Sequence, residues 1–139
     1  MRLIPALPSL IAALALPVSA DTLYDRLGGE AGVAAIAADT LDKTASDPQT
    51  RRSFAKVNMK RLKTLVAEQL CQVSGGPCRY SGESMKQSHA GLHITEAEFY
   101  GMVGHLRAVL DARQVAQADK NALLALLAPM KRDVVEAKQ

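Results

Sequence analysis

The chain has no tryptophan, and only two phenylalanines and three tyrosines among its 139 residues. So few aromatics leave nothing to interleave with Arg51, Arg52, Lys56, Lys60, Arg61 and Lys63 for base stacking, and a net charge of +3 at pH 7 is too balanced to favour nucleic acid. That basic run reads instead as a solvated helix face. Alternating runs of β-branched residues are missing, which argues against sheet. Neither a Cys-x-x-Cys pair nor a Cys-x-x-Cys-His sequence occurs, so no cofactor is expected to hang on thioether bonds. Internal repeats and low-complexity segments are absent as well.

A membrane-spanning run is also lacking. The apolar stretch from Leu10 to Leu16 is far shorter than the roughly 20 residues a spanning helix needs, and Pro5, Pro8 and Pro17 interrupt its surroundings. With Arg2 ahead of it and Ser19 and Ala20 behind, residues 1–20 read as a secretory signal peptide cleaved after Ala20. The residue directly after the expected cut is Asp21 and not a cysteine, which argues against a lipid anchor. The expectation is therefore an exported, periplasmic protein with no membrane attachment once the signal is removed. Residues 21–139 are enough for one domain with one core.

Two cysteines are present, Cys71 and Cys78, separated by "QVSGGP", whose Gly75-Gly76-Pro77 can turn the chain back on itself. In an exported protein an even pair around a turn is most simply a disulfide; two free buried thiols or a pair of metal ligands are the alternatives.

Apolar residues recur at three and four, so the chain reads as all-α. Thr22 can cap a short helix, with Asp25 three residues on, that stops at Gly28-Gly29. Glu30 to about Thr44 makes a second helix with Val33, Ile36, Ala37 and Leu41 on one face, broken by Asp47-Pro48. Asn58 can cap a third through Leu62, Leu65, Val66, Gln69 and Leu70. From Cys71 to Ile94 glycine and proline permit only short helical pieces, and so long a loop is expected to be functional or to cover a cofactor. Thr95 and Glu98 can form a capping box for a helix whose stripe is Phe99, Met102, Val103, Leu106, Val109 and Leu110, with His105 at its edge. A last helix, Ala118 to Ala137, is expected to bend at Pro129.

His89 and His93 stand four residues apart, the spacing of zinc proteases, but the glutamate those need after the first histidine is Ala90 here and Gly91 weakens any helix. Two readings remain beside a zinc pair. One histidine is on the surface and the other a hydrogen-bonded core residue, or His89 is the single axial ligand of a haem seated among apolar helices.

Motifs in order from Leu23 to Val135 bear on that choice: "LYDRLGG", Phe54 with "NMKRL", "GGP" with Tyr80 and Gly82, "MKQSHAGLHIT", "FYGMVGHL" and "LLAPMKRDVV". Together they resemble the group 1 truncated haemoglobins. The resemblance implies a truncated globin-like two-on-two helical sandwich over residues 21–139 around one non-covalent haem b per chain. It makes His89 the proximal iron ligand, Phe54 the ring wedged on the haem face and Leu62 part of the distal wall. Arg61 and Lys86 match basic positions at the haem edge, where they would pair with propionates. Tyr80 and Met85 match pocket-lining positions, and His93 falls where it cannot easily reach the sixth iron position.

The chain departs from the family at the gas-binding side. Leu41 stands where many members carry a tyrosine, Val66 where many carry a glutamine, and Leu65 where some carry a histidine as an internal sixth ligand. Losing such donors, an interaction worth about 1.5–3 kcal/mol to a polarised acceptor, weakens oxygen by roughly one to two decades and carbon monoxide much less. The implied partner is a diatomic gas (oxygen, carbon monoxide or nitric oxide), with a reductant of unspecified kind. Reversible oxygen binding or carriage is the expected function. A haem enzyme of nitric oxide or peroxide detoxification, a gas sensor, and a helical interaction module without haem are the competing readings. No distal acid or base is visible to cleave an O–O bond.

Overall fold

The computed structural model describes residues 21–136, so the expected signal peptide lies outside the described residues. Those residues form helices and turns, with no strand among them. Helix α1 (Leu23–Arg26) starts with the expected capping box, the Thr22 hydroxyl accepting from Asp25 N–H and the Asp25 carboxylate accepting from Thr22 N–H. Gly28, at φ 102, turns the chain directly into α2 (Gly29–Ser46). A Cβ at that φ would be strained and would press on Gly32, so a glycine is needed there.

α2 is buried along its whole length, by Val33, Ile36, Ala37, Thr40, Leu41 and Thr44. It packs against both α3 (Met59–Val73) and α5 (Glu96–Ala112), and ion pairs fix its flanks: Lys63 to Asp42 at 2.8 Å and Arg113 to Asp39 at 3.3 Å. Between α2 and α3 a 3-10 turn (Arg51–Phe54) carries Phe54. The Thr50 hydroxyl donates to Thr44 O at 2.7 Å, and the Thr50 methyl lies against Gly101, where any Cβ would collide with it. His105, at the edge of the α5 stripe, reaches the Asp47 carboxylate at 2.8 Å. The Gln49 N–H first, and His105 second, hold the Asp47 carboxyl below the usual aspartate range.

The closed core gathers Leu23, Leu27, Val33, Ile36, Ala37, Leu70, Cys71, Leu106, Val109, Leu110 and Leu123. It joins α1, α2, the second halves of α3 and α5, and α6 (Gln117–Leu127). One expectation is corrected here: Pro129 breaks the last helix instead of bending it. α6 ends at Leu127, a 3-10 turn covers Ala128–Met130, and α7 is the single turn Lys131–Val134. Proline removes a helical N–H and clashes with the preceding turn, and so short a following piece cannot recover that cost by itself. Contacts with α5 hold it: Lys131 pairs with Glu96 at 2.6 Å and donates to the Tyr100 hydroxyl at 3.1 Å.

The stretch from Cys71 to Ile94 contains one short helix, α4 (Met85–His89). Its first part is laced back onto α3 by successive contacts. The Cys71 and Cys78 sulfurs stand 2.09 Å apart, Tyr80 N–H donates to Gln72 Oε1 at 2.6 Å, and Ser81 N–H and hydroxyl both donate to Glu68, at 3.0 and 2.7 Å. Those two donors depress the Glu68 carboxyl below its ordinary range. Ser84 then caps α4 by accepting from Gln87 N–H at 3.1 Å.

Candidate functional site

Three helices carry apolar stripes that change character along their length. On α3, Leu70 and Cys71 are buried while Leu62, Leu65 and Val66 are half-buried. On α5, Leu106, Val109 and Leu110 are buried while Phe99, Met102 and Val103 are half-buried. On α6 and the turn after it, Leu123 is buried while Leu127 and Met130 are half-buried. The half-buried Phe54, Met85 and His89 complete the set. Leaving this much apolar side chain partly uncovered is unfavourable by about 25 cal/mol per Å². The stripes therefore leave apolar surface that an apolar group could cover. Two surface hollows along α3, one lined by Asn58, Arg61 and Ser81 and the other by Tyr24, Ala67 and Cys78, do not include His89, Phe54 or Met85.

The ring of His89 is set by its neighbours. Nδ1 lies 2.8 Å from Met85 O and 3.0 Å from the Ser88 hydroxyl, and that hydroxyl itself donates to Met85 O. A carbonyl can only accept, so Nδ1 carries the proton and Nε2 keeps its lone pair. Nε2 has no hydrogen-bond partner among the described residues. An imidazole with one nitrogen donating to a carbonyl and the other free is the arrangement found in metal-ligating histidines. Among the described residues no cluster of three or more His, Cys, Asp or Glu could hold a bare metal ion, which removes support from the zinc reading.

The remaining site residues fall as follows. Phe54 sits in the 3-10 turn and Leu62 one turn into α3. Arg61 and Lys86 are exposed, on α3 and α4, free to meet an anionic group. Tyr80 folds over Gly82 with its hydroxyl donating to Glu83 O at 2.7 Å, so it shapes the approach to α4; burial, and then Glu68 and Glu83, push its phenol upward. Leu41 is 1% exposed on α2, and Val66 is half-buried on α3. Thr40, beside Leu41, holds a buried hydroxyl without a partner among the described residues. The Gln69 amide is directed at the Met85 and Met130 sulfurs, 3.3 Å from each. His93 adopts a positive φ of 52 on an exposed turn, and His105 belongs to the Asp47 contact. Sequence reasoning missed Arg52, Glu98 and Glu136, which gather around the turn after His89. Their charges gave no local signal, because their partners lie about forty or more residues away.

Residues 22–136 match the family described as bacterial-like globin. Group 1 truncated hemoglobin GlbN of Mycolicibacterium paratuberculosis is 32% identical over 113 residues, covering 81% of this chain and 83% of that one. The chain belongs to the bacterial-like globins, and within them to the group 1 truncated haemoglobins. Group 1 truncated hemoglobin GlbN of a Nostoc species is 29% identical over 110 residues, with 79% and 93% covered. The crystal structure of truncated hemoglobin from Tetrahymena pyriformis, Fe(III) form, superposes with a TM-score of 0.79 at 24% identity, covering 83% of this chain and 98% of that one, and supports the fold. Haem, one per chain, is thus the cofactor of this truncated globin, which binds gases at it.

Proposed function

We propose that this truncated globin reversibly binds oxygen through a non-covalent haem b ligated by His89. Haem iron supplies the open coordination position at which a diatomic gas binds. The observation that carries the reading is the His89 ring, with Nδ1 committed to Met85 O and Nε2 without a hydrogen-bond partner among the described residues. Met85 O orients the imidazole and favours the tautomer that can ligate. Phe54 and Leu62 exclude water from the haem faces, while Arg61 and Lys86 offer guanidinium and ammonium groups to the propionates. Leu41 and Val66 give the gas side no side-chain donor, which favours loose oxygen binding over a long-held complex suited to detoxification. The leader-like residues 1–20 and the paired Cys71 and Cys78 support a periplasmic protein with an oxidised disulfide.

Loading residues 21–139 with haem and recording ferric and ferrous absorption spectra tests the reading. A Soret band that His89→Ala displaces is expected; its absence, or its indifference to that substitution, overturns the assignment. An oxygen off-rate as slow as in a tyrosine-bearing relative would remove the loose-binding part.

A further inference from the structure

We infer that Arg52 and Glu136 clamp the turn behind His89 and act as positioning residues that set how His89 holds its iron. The inference rests on the reading of His89 as the ligand. α4 is a helix of five residues ending at His89 itself, too short to hold its own place by backbone hydrogen bonds alone. The following backbone is unusual, with Gly91 at φ 79 and His93 at φ 52, the latter a conformation that residues with side chains resist.

Five backbone groups of this turn are gripped from two sides. Arg52 donates through Nη1 to Leu92 O at 3.0 Å and through Nη2 to His93 O at 3.2 Å. Glu136 accepts from Gly91 N–H at 3.1 Å and from His93 N–H at 3.2 Å, and its own N–H donates to Ile94 O at 3.0 Å. Glu98, in the first turn of α5, holds the Arg52 guanidinium through both carboxylate oxygens, at 2.9 and 3.1 Å. In the expected capping box that carboxylate would turn back to Thr95 N–H; it faces Arg52 instead, while Thr95 still caps Glu98 N–H at 3.0 Å.

These contacts link the 3-10 turn, the turn after α4 and the residues after α7. Arg52 belongs to the same 3-10 turn as Phe54, Glu136 follows α7, and the turn they share is joined to His89 by Leu92 N–H donating to His89 O at 3.2 Å. A displacement of the turn therefore moves the imidazole relative to Phe54. An opposed cation and anion, each bound to backbone groups by charge-assisted hydrogen bonds, resist that displacement from both directions.

The test is the iron–histidine stretching band of the ferrous, ligand-free haem protein in resonance Raman spectra, together with the rate of haem loss to an acceptor globin. Arg52→Gln and Glu136→Gln should each shift the band and speed haem loss about tenfold, the usual lower bound for removing a partner that orients a ligand. Arg52→Lys should fall between those variants and the parent. Arg26→Gln, which breaks the 2.9 Å pair with Asp119 far along the chain, serves as the stability control and should keep the parent frequency. An unshifted band in both clamp variants, or an equal shift in Arg26→Gln, would overturn the clamp with His89 ligation intact. A parent with no iron–histidine band would instead overturn the ligand reading, and the clamp's role with it.

Discussion

The two halves of α5 share one apolar stripe and meet different fates. Leu106, Val109 and Leu110 are packed against α2 and α6 residues in the closed core, whereas Phe99, Met102 and Val103, on the turns before them, remain half-buried. α3 shows the same contrast between Leu70 and Leu62, so one end of the molecule is closed by protein and the other keeps apolar side chains partly uncovered. Hydrophobic periodicity assigns a helix face equally well to both, because it records which residues avoid water and not what covers them.

The largest expected effect separates these two ends directly. Leu110→Ala empties a site that is 0% exposed and should destabilise the haem-free and haem-loaded protein alike, by about 2–5 kcal/mol. Met102→Ala should cost the haem-free protein about 1 kcal/mol or less, since its side chain is already partly solvated there, and should act mainly on haem retention. Thermal unfolding of both forms measures this. Equal losses for the two variants in the haem-free protein would erase the distinction between a closed and an unfinished end.

A smaller effect concerns the strap that leads into α4. Replacing Cys71 and Cys78 together by serine should lower stability by about 2–3 kcal/mol, the range expected for so short a closed loop, and reductant should lower the melting temperature of the parent but not of the variant. Because Tyr80 and Ser81 stay tied to Gln72 and Glu68, the His89 ring should keep its Nδ1 contact, and the Soret band its position. A displaced band would show that the strap reaches into the site.

The sequence disclosed the local parts of this architecture and hid the distant ones. Thr22 with Asp25 and Asn58 with Arg61 N–H are caps between residues three apart and are present as the pattern implies, while of the Thr95 and Glu98 box only the Thr95 half forms. Whether Pro129 bends or breaks a helix depends on what the following turn packs against, and that partner, Glu96 with Tyr100, lies more than thirty residues back. Arg52 looked like one cation in a solvated run, yet its partners are Leu92, His93 and Glu98. Spacing left His89 and His93 as equals; the family motifs assigned the ligand to His89, and the Met85 carbonyl supplies the physical reason that its ring is suited to the task.

The smallest effect lies where α2 ends against α5, between the two regions. Asp47 accepts from Gln49 N–H at 2.9 Å and contacts His105 at 2.8 Å, and both hold its carboxyl below the usual aspartate range. A carboxylate depressed in the folded state stabilises it fully above its unfolded value, and that contribution disappears as pH falls through the lower folded value. Asp47→Ala should therefore lower the melting temperature at neutral pH, with the gap to the parent closing as the medium is acidified past the ordinary aspartate range. The contact is only partly buried, so the gap should also narrow with salt. A gap constant from neutral pH to below that range would mean that Asp47 acts through shape and not charge, and that α2 is joined to α5 there by the packing of Thr50 on Gly101 alone.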